Sequence, residues 1–353
     1  MTAPILPPIL RVLAGEAVSP LPAWFMRQAG RHLPEYKAVR ATTPDFISFC
    51  LNPEKAAEVT LQPLRRYGMD AAILFADILL IPGALGREVR FVKGAGPVLE
   101  PIEPEDVAKL TPNGAAGRLS PIYETVRRVR EGLPDGAALI GFAGGPWTVA
   151  TYMLEGRGTP TKERAKRFAY THPKETDTLL SILADATADY LVEQARAGAQ
   201  VLKIFESWAE GLSPAQFERL VIAPTARIVS AVRASGVTVP IIGFPRGAGE
   251  KAVHYAGATG VDALALGTSS DMPLIRAALP GVPLQGNLDP LALRIGGDTL
   301  RRAVDDVLEA ASGPHIFNLG HGVAPDVKIE NVHAVLDHVR GREPTYVEGT
   351  PPG

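Results

Sequence analysis

Ala138-Leu139-Ile140-Gly141-Phe142-Ala143-Gly144-Gly145-Pro146-Trp147-Thr148 joins a short apolar run to a glycine-rich turn with a proline just beyond it. An exposed antiparallel strand would alternate apolar and polar residues. An unbroken apolar run of this length suits a strand buried on both faces, as in a parallel sheet. Proline after the glycines suits the first turn of a helix, where its missing N–H leaves no bond unmade. The stretch reads as strand, tight turn, helix.

The same order recurs on both sides of it. Candidate strands lie at Ala71–Phe75, Ala138–Phe142, Gln200–Phe205, Val239–Gly243, Val261–Leu266, Val282–Gln285 and His315–Leu319. Helical patterns fall between them at Pro53–Tyr67, Arg118–Glu131, Pro173–Ala197, Pro214–Ser235 and Leu300–Ala311, several opening at proline and closing near glycine. Such alternation implies right-handed crossovers and a parallel sheet. An eighth strand falls either at Ala23–Met26 or within Glu88–Val92. The expectation is an α/β protein, a single (β/α)8 TIM barrel spanning residues 1–353, with a short N-terminal arm and a loose tail over 343–353. A doubly wound sheet would carry a G-x-G-x-x-G fingerprint after its first strand, and none follows Ala71–Phe75.

Composition narrows the function classes. Of 353 residues, 46% are apolar and 21% charged, an ordinary globular balance. The net charge of −2 gives no basic field for nucleic acid. No stretch approaches the roughly 20 apolar residues that span a bilayer, so no membrane partner is expected. The opening MTAPILPPILRVLAGE lacks a basic segment leading into an apolar run and does not read as a secretory signal. The single cysteine, Cys50, excludes an internal disulfide framework and a multi-cysteine metal site, and reads as a small buried apolar residue. A cytoplasmic enzyme is the expectation.

In a parallel barrel, residues just after each strand share one mouth. Asp77 follows the first strand and precedes the apolar run Ile78-Leu79-Leu80-Ile81, which leaves it either a helix cap or a desolvated carboxylate aimed into the cavity. Tyr152 follows the glycine turn, as a rim aromatic or a ligand. Glu206-Ser207-Trp208 follows the third strand, with Ser207 a cap or a contact and Glu206 equally a partner for an arginine. Pro245-Arg246, Gly267-Thr268, Gly286-Asn287-Leu288-Asp289 and Gly320-His321-Gly322 end later strands, and His321 either bonds a neighbouring loop or meets the ligand. Near the N-terminus, Arg27, Arg31, Lys37 and Arg40 cluster. Arg27 and Arg31 enclose Ala29 and Gly30, and four-residue spacing would put both guanidinium groups on one side of a helix. Small residues between them let backbone approach a ligand. The pattern reads either as an ion-paired helix face or as a site for carboxylate or phosphate.

Pro22-Ala23-Trp24-Phe25-Met26-Arg27-Gln28-Ala29-Gly30-Arg31 resembles the N-terminal signature of the uroporphyrinogen decarboxylase family. Gly141 through Thr148, running on to Thr151-Tyr152-Met153-Leu154-Glu155-Gly156, resembles its second signature. Leu64-Arg65-Arg66-Tyr67 through Phe75-Ala76-Asp77-Ile78-Leu79, Phe205-Glu206-Ser207-Trp208 and Asn318-Leu319-Gly320-His321-Gly322 match in order, from about Leu21 to His338. His32 stands where the family usually has tyrosine, and Ala76 where serine is common. The resemblance implies a somewhat distorted barrel, a homodimer, and conversion of uroporphyrinogen III to coproporphyrinogen III in porphyrin and haem biosynthesis. Four acetates of a tetrapyrrole become methyl groups, releasing carbon dioxide, with no metal or other cofactor. It implies that Asp77 accepts from the pyrrole N–H groups, that Arg27, Gln28, Ala29, Gly30 and Arg31 hold substrate carboxylates, and that Tyr152, Ser207 and His321 complete the pocket.

The chemistry fits these residue types. Without a cofactor the substrate must supply its own electron sink, and a protonated pyrrole is one. A buried aspartate beside the ring stabilises that positive charge far better than water does. Arg27, Tyr152 and His321 stand open as proton donors. Two rival readings remain: a corrinoid-dependent methyltransferase, which needs zinc held by clustered histidine and cysteine, and a non-catalytic tetrapyrrole carrier.

Overall fold

The computed structural model describes residues 6–92, 94 and 96–346. Nine strands run β1 (Ala71–Ile73), β2 (Val89–Val92), β3 (Gly96–Leu99), β4 (Ala138–Gly144), β5 (Val201–Glu206), β6 (Ile241–Pro245), β7 (Ala263–Ala265), β8 (Leu284–Leu288) and β9 (His315–Leu319). Seven form one parallel sheet in the order β1-β4-β5-β6-β7-β8-β9. Chain order and spatial order agree along the sheet because each crossover carries at least one helix and each is right for a curled parallel sheet.

The arm closes the sheet. Phe317 N–H donates to Pro22 O at 2.9 Å, Trp24 N–H to Phe317 O at 3.3 Å, and Asp70 N–H to Ala23 O at 3.0 Å. Ala23 N–H in turn donates to Asp70 Oδ2 at 2.8 Å. This segment bridges β9 to the residue before β1 and is the eighth stave, of the two positions expected for it. Val89–Val92 instead pairs antiparallel with Gly96–Leu99 in a separate two-stranded hairpin. The stave is one bridge long because the chain turns away at Arg27, whose φ is 62°.

Two apolar layers explain why the strands read as continuous apolar runs. Ala71, Ile73, Ala138, Ile140, Val201 and Ile242 point into the barrel with Trp24, while Ala72, Leu74, Leu139, Leu202 and Leu264 point out under the helices. Each large side chain so buried contributes roughly 1.5–3 kcal/mol. Cys50 is buried in the outer layer, as its type suggested. Lys203 breaks the run within β5 and faces inward, fully buried.

Helices Pro53–Tyr67 and Pro173–Ala197 match the expected bounds. The expected helix Pro214–Ser235 is instead Pro214–Phe217, a wider π turn at Glu218–Ile222, and Ala223–Ala234. Pro224 has no N–H to donate to Leu220 O, so a regular α ladder is interrupted there. Arg118–Glu131 likewise divides into Ala115–Arg118 and Ser120–Glu131. Of the expected tail, Tyr346 is tied down, its hydroxyl 2.6 Å from His338 Nδ1; residues 347–353 lie outside the described residues. No described helix is long and apolar enough to cross a membrane.

Candidate active site

Each parallel strand delivers its carboxyl end to the same mouth, so the loops after β1, β4, β5, β6 and β9 and the arm converge. Asp77, past the end of β1, is half-buried. Its Oδ1 accepts from Leu79 N–H at 2.8 Å, the Asx turn that short carboxylates favour. That is the carboxylate's one hydrogen bond among the described residues, and none of their basic side chains lies within ion-pair distance of it. Burial raises its pKa to about 6, opposed by the Leu79 N–H and by the positive charge of Arg27. At neutral pH it remains mostly ionised, with Oδ2 free to accept.

The arginine segment is a series of turns, not the helix that would put Arg27 and Arg31 on one face. The left-handed backbone at Arg27 and the turn at Gly30 place them instead. A Cβ at Gly30 would meet Arg27 O at 2.8 Å, and one at Gly322 would meet Arg27 Cδ at 2.4 Å. Two glycines from distant parts of the chain thus make room for the Arg27 backbone and stem. Both arginines are exposed, and neither makes a hydrogen bond or ion pair with the described residues. Gln28 is used differently. Its Nε2 donates to Ala71 O at 2.9 Å and its Oε1 accepts from Phe25 N–H at 3.0 Å, which fastens the arm to β1. Ala29 and Gly30 are half-buried at the same turn. Lys37 and Arg40 lie on the next helix, where Arg40 Nη1 donates to Thr43 O at 2.9 Å, so they do not join the cluster.

Tyr152 sits on helix Pro146–Glu155 with its ring 4.1 Å from that of Trp208. Burial raises its pKa, and the Asp77 charge adds to the effect while Arg27 and Arg246 oppose it. His321 is held neutral: burial lowers its pKa to about 4, helped by the charges of Arg27 and Arg246. Ser207 is half-buried after β5, and its carbonyl accepts from Arg246 Nε at 2.9 Å. The floor between these groups is aromatic: Phe205 stands edge-on to Phe142 at 5.5 Å and to Phe244 at 6.0 Å. Beneath it, Lys203 Nζ lies 5.0 Å from the Phe205 ring and 5.0 Å from that of Trp24, and burial drives its pKa well below the usual lysine value.

Glu206 supports the site from behind. It accepts a very short bond from the Thr148 hydroxyl, and burial raises its pKa to about 8 against the N–H groups of Thr148, Trp147 and Trp208. It joins the end of β5 to the helix bearing Tyr152, and it pairs with no arginine. A Cβ at Gly145 would lie 2.3 Å from Glu206 Oε2. The expected residues Arg27, Asp77, Tyr152 and His321 act on one another electrostatically and so share one mouth. Arg246 acts on Tyr152 and His321; its sequence signal was a charged residue directly after a buried strand. Among the described residues, no group of three or more His, Cys, Asp or Glu is placed to hold a metal ion.

A curled parallel barrel whose mouth holds a partly desolvated carboxylate beside the unpaired Arg27 defines a class: α/β-barrel proteins with an anion-accepting mouth at the carboxyl ends of the strands. The chain belongs to the uroporphyrinogen decarboxylase family, whose family model, described as uroporphyrinogen decarboxylase (URO-D), matches residues 6–342. It is 56% identical over 337 residues to a protein of Maricaulis maris named uroporphyrinogen decarboxylase, covering 95% of this chain and 98% of that protein. A protein of the same name from Caulobacter vibrioides is 55% identical, covering 97% of this chain and 98% of its own. Among solved structures, a methyltransferase from Methanosarcina mazei superposes with a TM-score of 0.77 over 96% of this chain and 99% of its own, at 19% identity, a likeness of fold alone.

Proposed function

We propose that this chain converts uroporphyrinogen III to coproporphyrinogen III and carbon dioxide, as a single barrel domain. The observation that carries the proposal is Asp77, a desolvated carboxylate with one side-chain N–H partner and no ion-paired cation among the described residues, set at a mouth that it shares with the unpaired Arg27. In this reading the pyrrole N–H groups point at Asp77, and Arg27 and Arg31 hold carboxylates at the substrate's rim. Ala29, Gly30, Tyr152, Ser207 and His321 line the pocket, while Gln28 keeps the arm in place.

Protonation of a pyrrole gives a cation that Asp77 stabilises electrostatically. The bond between the acetate methylene and its carboxylate then breaks, its electron pair neutralises the ring, and carbon dioxide leaves. A second proton at the methylene carbon completes the methyl group, and the proton first placed on the ring leaves to restore the pyrrole, so that one proton is consumed for each carbon dioxide released. His321, neutral by virtue of its surroundings, has no proton ready to give at neutral pH, and the raised pKa of Tyr152 makes it a weak acid as well; Arg27, Tyr152 and water stand as the remaining donors.

The methyltransferase reading is not favoured, since Cys50 is sealed in the outer apolar layer and the family match is to decarboxylases. A carrier role separates from catalysis by turnover. Incubation with enzymatically generated uroporphyrinogen III, followed by oxidation and chromatography, should show seven- to four-carboxylate porphyrins appearing in turn. Binding without products would make the protein a carrier. We further infer a cytoplasmic homodimer; light scattering of the purified protein at twice the chain mass is the expected result.

A further inference from the structure

We propose that Arg246 is a third carboxylate-binding arginine of this site, gripping the substrate's rim opposite Arg27 and Arg31. The proposal rests on the decarboxylase reading above and deepens it.

Placement is the first argument. Counting staves from the arm, β6 is fourth in either direction around the barrel, by way of β1, β4 and β5 or of β9, β8 and β7. Arg246 immediately follows β6 and therefore enters the mouth from the side of the barrel opposite the arm that carries Arg27. Its charge acts on His321 and Tyr152, the same two groups that Arg27 acts on.

The side chain is also held and left unspent. Its backbone N–H donates to Glu206 O at 2.9 Å and its Nε to Ser207 O at 2.9 Å. A Cβ at Gly267 would come within 3.6 Å of its Cγ, so a residue without one flanks the stem. With Nε engaged, the Nη1–Nη2 edge of the fork remains, which is the edge that takes a carboxylate bidentately. The nearest acid, Glu210, is 4.0 Å from Nη2 and is already paired with the buried Lys162. The Arg246 side chain keeps 30% exposure.

Chemistry supplies the need. A macrocycle pinned over Asp77 and held at one rim can still tilt about that edge. A cation on the far side fixes the tilt, and it must do so again each time a different acetate is presented for reaction. Losing it should weaken binding and release partly decarboxylated rings early.

The test compares Arg246→Met and Arg246→Lys with the unaltered chain, measuring KM and kcat for uroporphyrinogen III, the spread of products, and binding of oxidised uroporphyrin III by fluorescence quenching. Arg246→Met should raise KM about tenfold or more and leave five- to seven-carboxylate intermediates, with kcat changed less. Arg246→Lys should fall between, keeping the charge and losing the fork. Arg246→Met with KM within about twofold and an unaltered product pattern, or with lower kcat and melting temperature alone, overturns the proposal. Should Arg246→Met not fold, unchanged KM and product pattern in Arg246→Lys would overturn it equally. Porphyrin binding that is unaffected by either substitution does the same. If the unaltered chain binds porphyrin but turns nothing over, the decarboxylase reading fails, while the binding comparison still decides the role of Arg246.

Discussion

Asp77 illustrates how a residue proposed to act in catalysis carries a cost in stability. Its pKa is raised to about 6 because burial disfavours the anion more than the Leu79 N–H and Arg27 favour it. A folded pKa above the unfolded value means that folding binds a proton, so the contribution to stability is full below about 4 and is lost as pH rises through about 6. At pH 8 the fold carries the whole cost of that charge. Asp77→Asn keeps the oxygen that accepts from Leu79 and removes the charge. It should lower kcat on the order of 10²-fold or more while raising stability at pH 8 by roughly 1–3 kcal/mol, and the gain should fall away as pH drops from about 6 to about 4. Turnover near that of the unaltered protein would remove Asp77 from the mechanism; urea melts at both pH values check the rest. Gly322 gives a second test at this scale. Gly322→Ala would push a methyl group into the Arg27 stem, so its KM should rise toward that of Arg27→Ala without touching the guanidinium chemically. An unchanged KM would mean that Arg27 does not act from its observed position.

At the scale of elements, Glu206 joins the end of β5 to the helix that presents Tyr152, and it is largely protonated at neutral pH. Its raised pKa makes stability fall as pH climbs from about 4.5 to about 8, after which the effect levels off. Glu206→Gln should remove that slope. Relative to the unaltered protein, the variant should gain up to about 1 kcal/mol per pH unit across that window, measured by urea unfolding; a difference independent of pH would show that Glu206 is buried as a carboxylate. This element pair also shows what the sequence could reveal. The glycine turn, the proline and the apolar run of β4 were legible because each is a local requirement. The partner of Glu206 was not, since Thr148 reaches it only after β4 and β5 pair. The π turn before Pro224 was equally hidden, because proline inside a helical pattern is compatible with a kink, a break or a widened turn. The same limit explains the site: Asp77, Tyr152 and His321 stand at strand ends and could be read, whereas Gln28 is identified as a structural fastener only by the position of Ala71 O.

For the whole molecule, the question is what makes seven parallel strands into a barrel with a working mouth. Sequence periodicity left the eighth stave open between the arm and Glu88–Val92, because a one-bridge stave has too few residues to show a pattern. Beside the backbone bonds and Gln28, one further side chain supports its closure. Asp70 accepts from Ala23 N–H through Oδ2 and lies 3.5 Å from Arg340, near the far end of the chain, which also bonds the carbonyls of Tyr67 and Gly68. The start, the first strand and the last helix thus meet at Asp70. Arg27 lies only four residues beyond Ala23, so whatever holds the seam also sets the angle at which that arginine enters the mouth. Asp70→Ala leaves the Ala23 N–H without its partner and Arg340 with only carbonyls, and should cost about 1–3 kcal/mol in urea unfolding. Because the damage lies at the arm, it should also raise KM severalfold, while Asp70→Asn, which can still accept from Ala23, should recover much of the KM and less of the stability. Binding and stability would then separate between the two variants. If both lose stability and neither changes KM, the seam closes the barrel without positioning Arg27, and the arm's turn at Gly30 and the space at Gly322 must place it unaided.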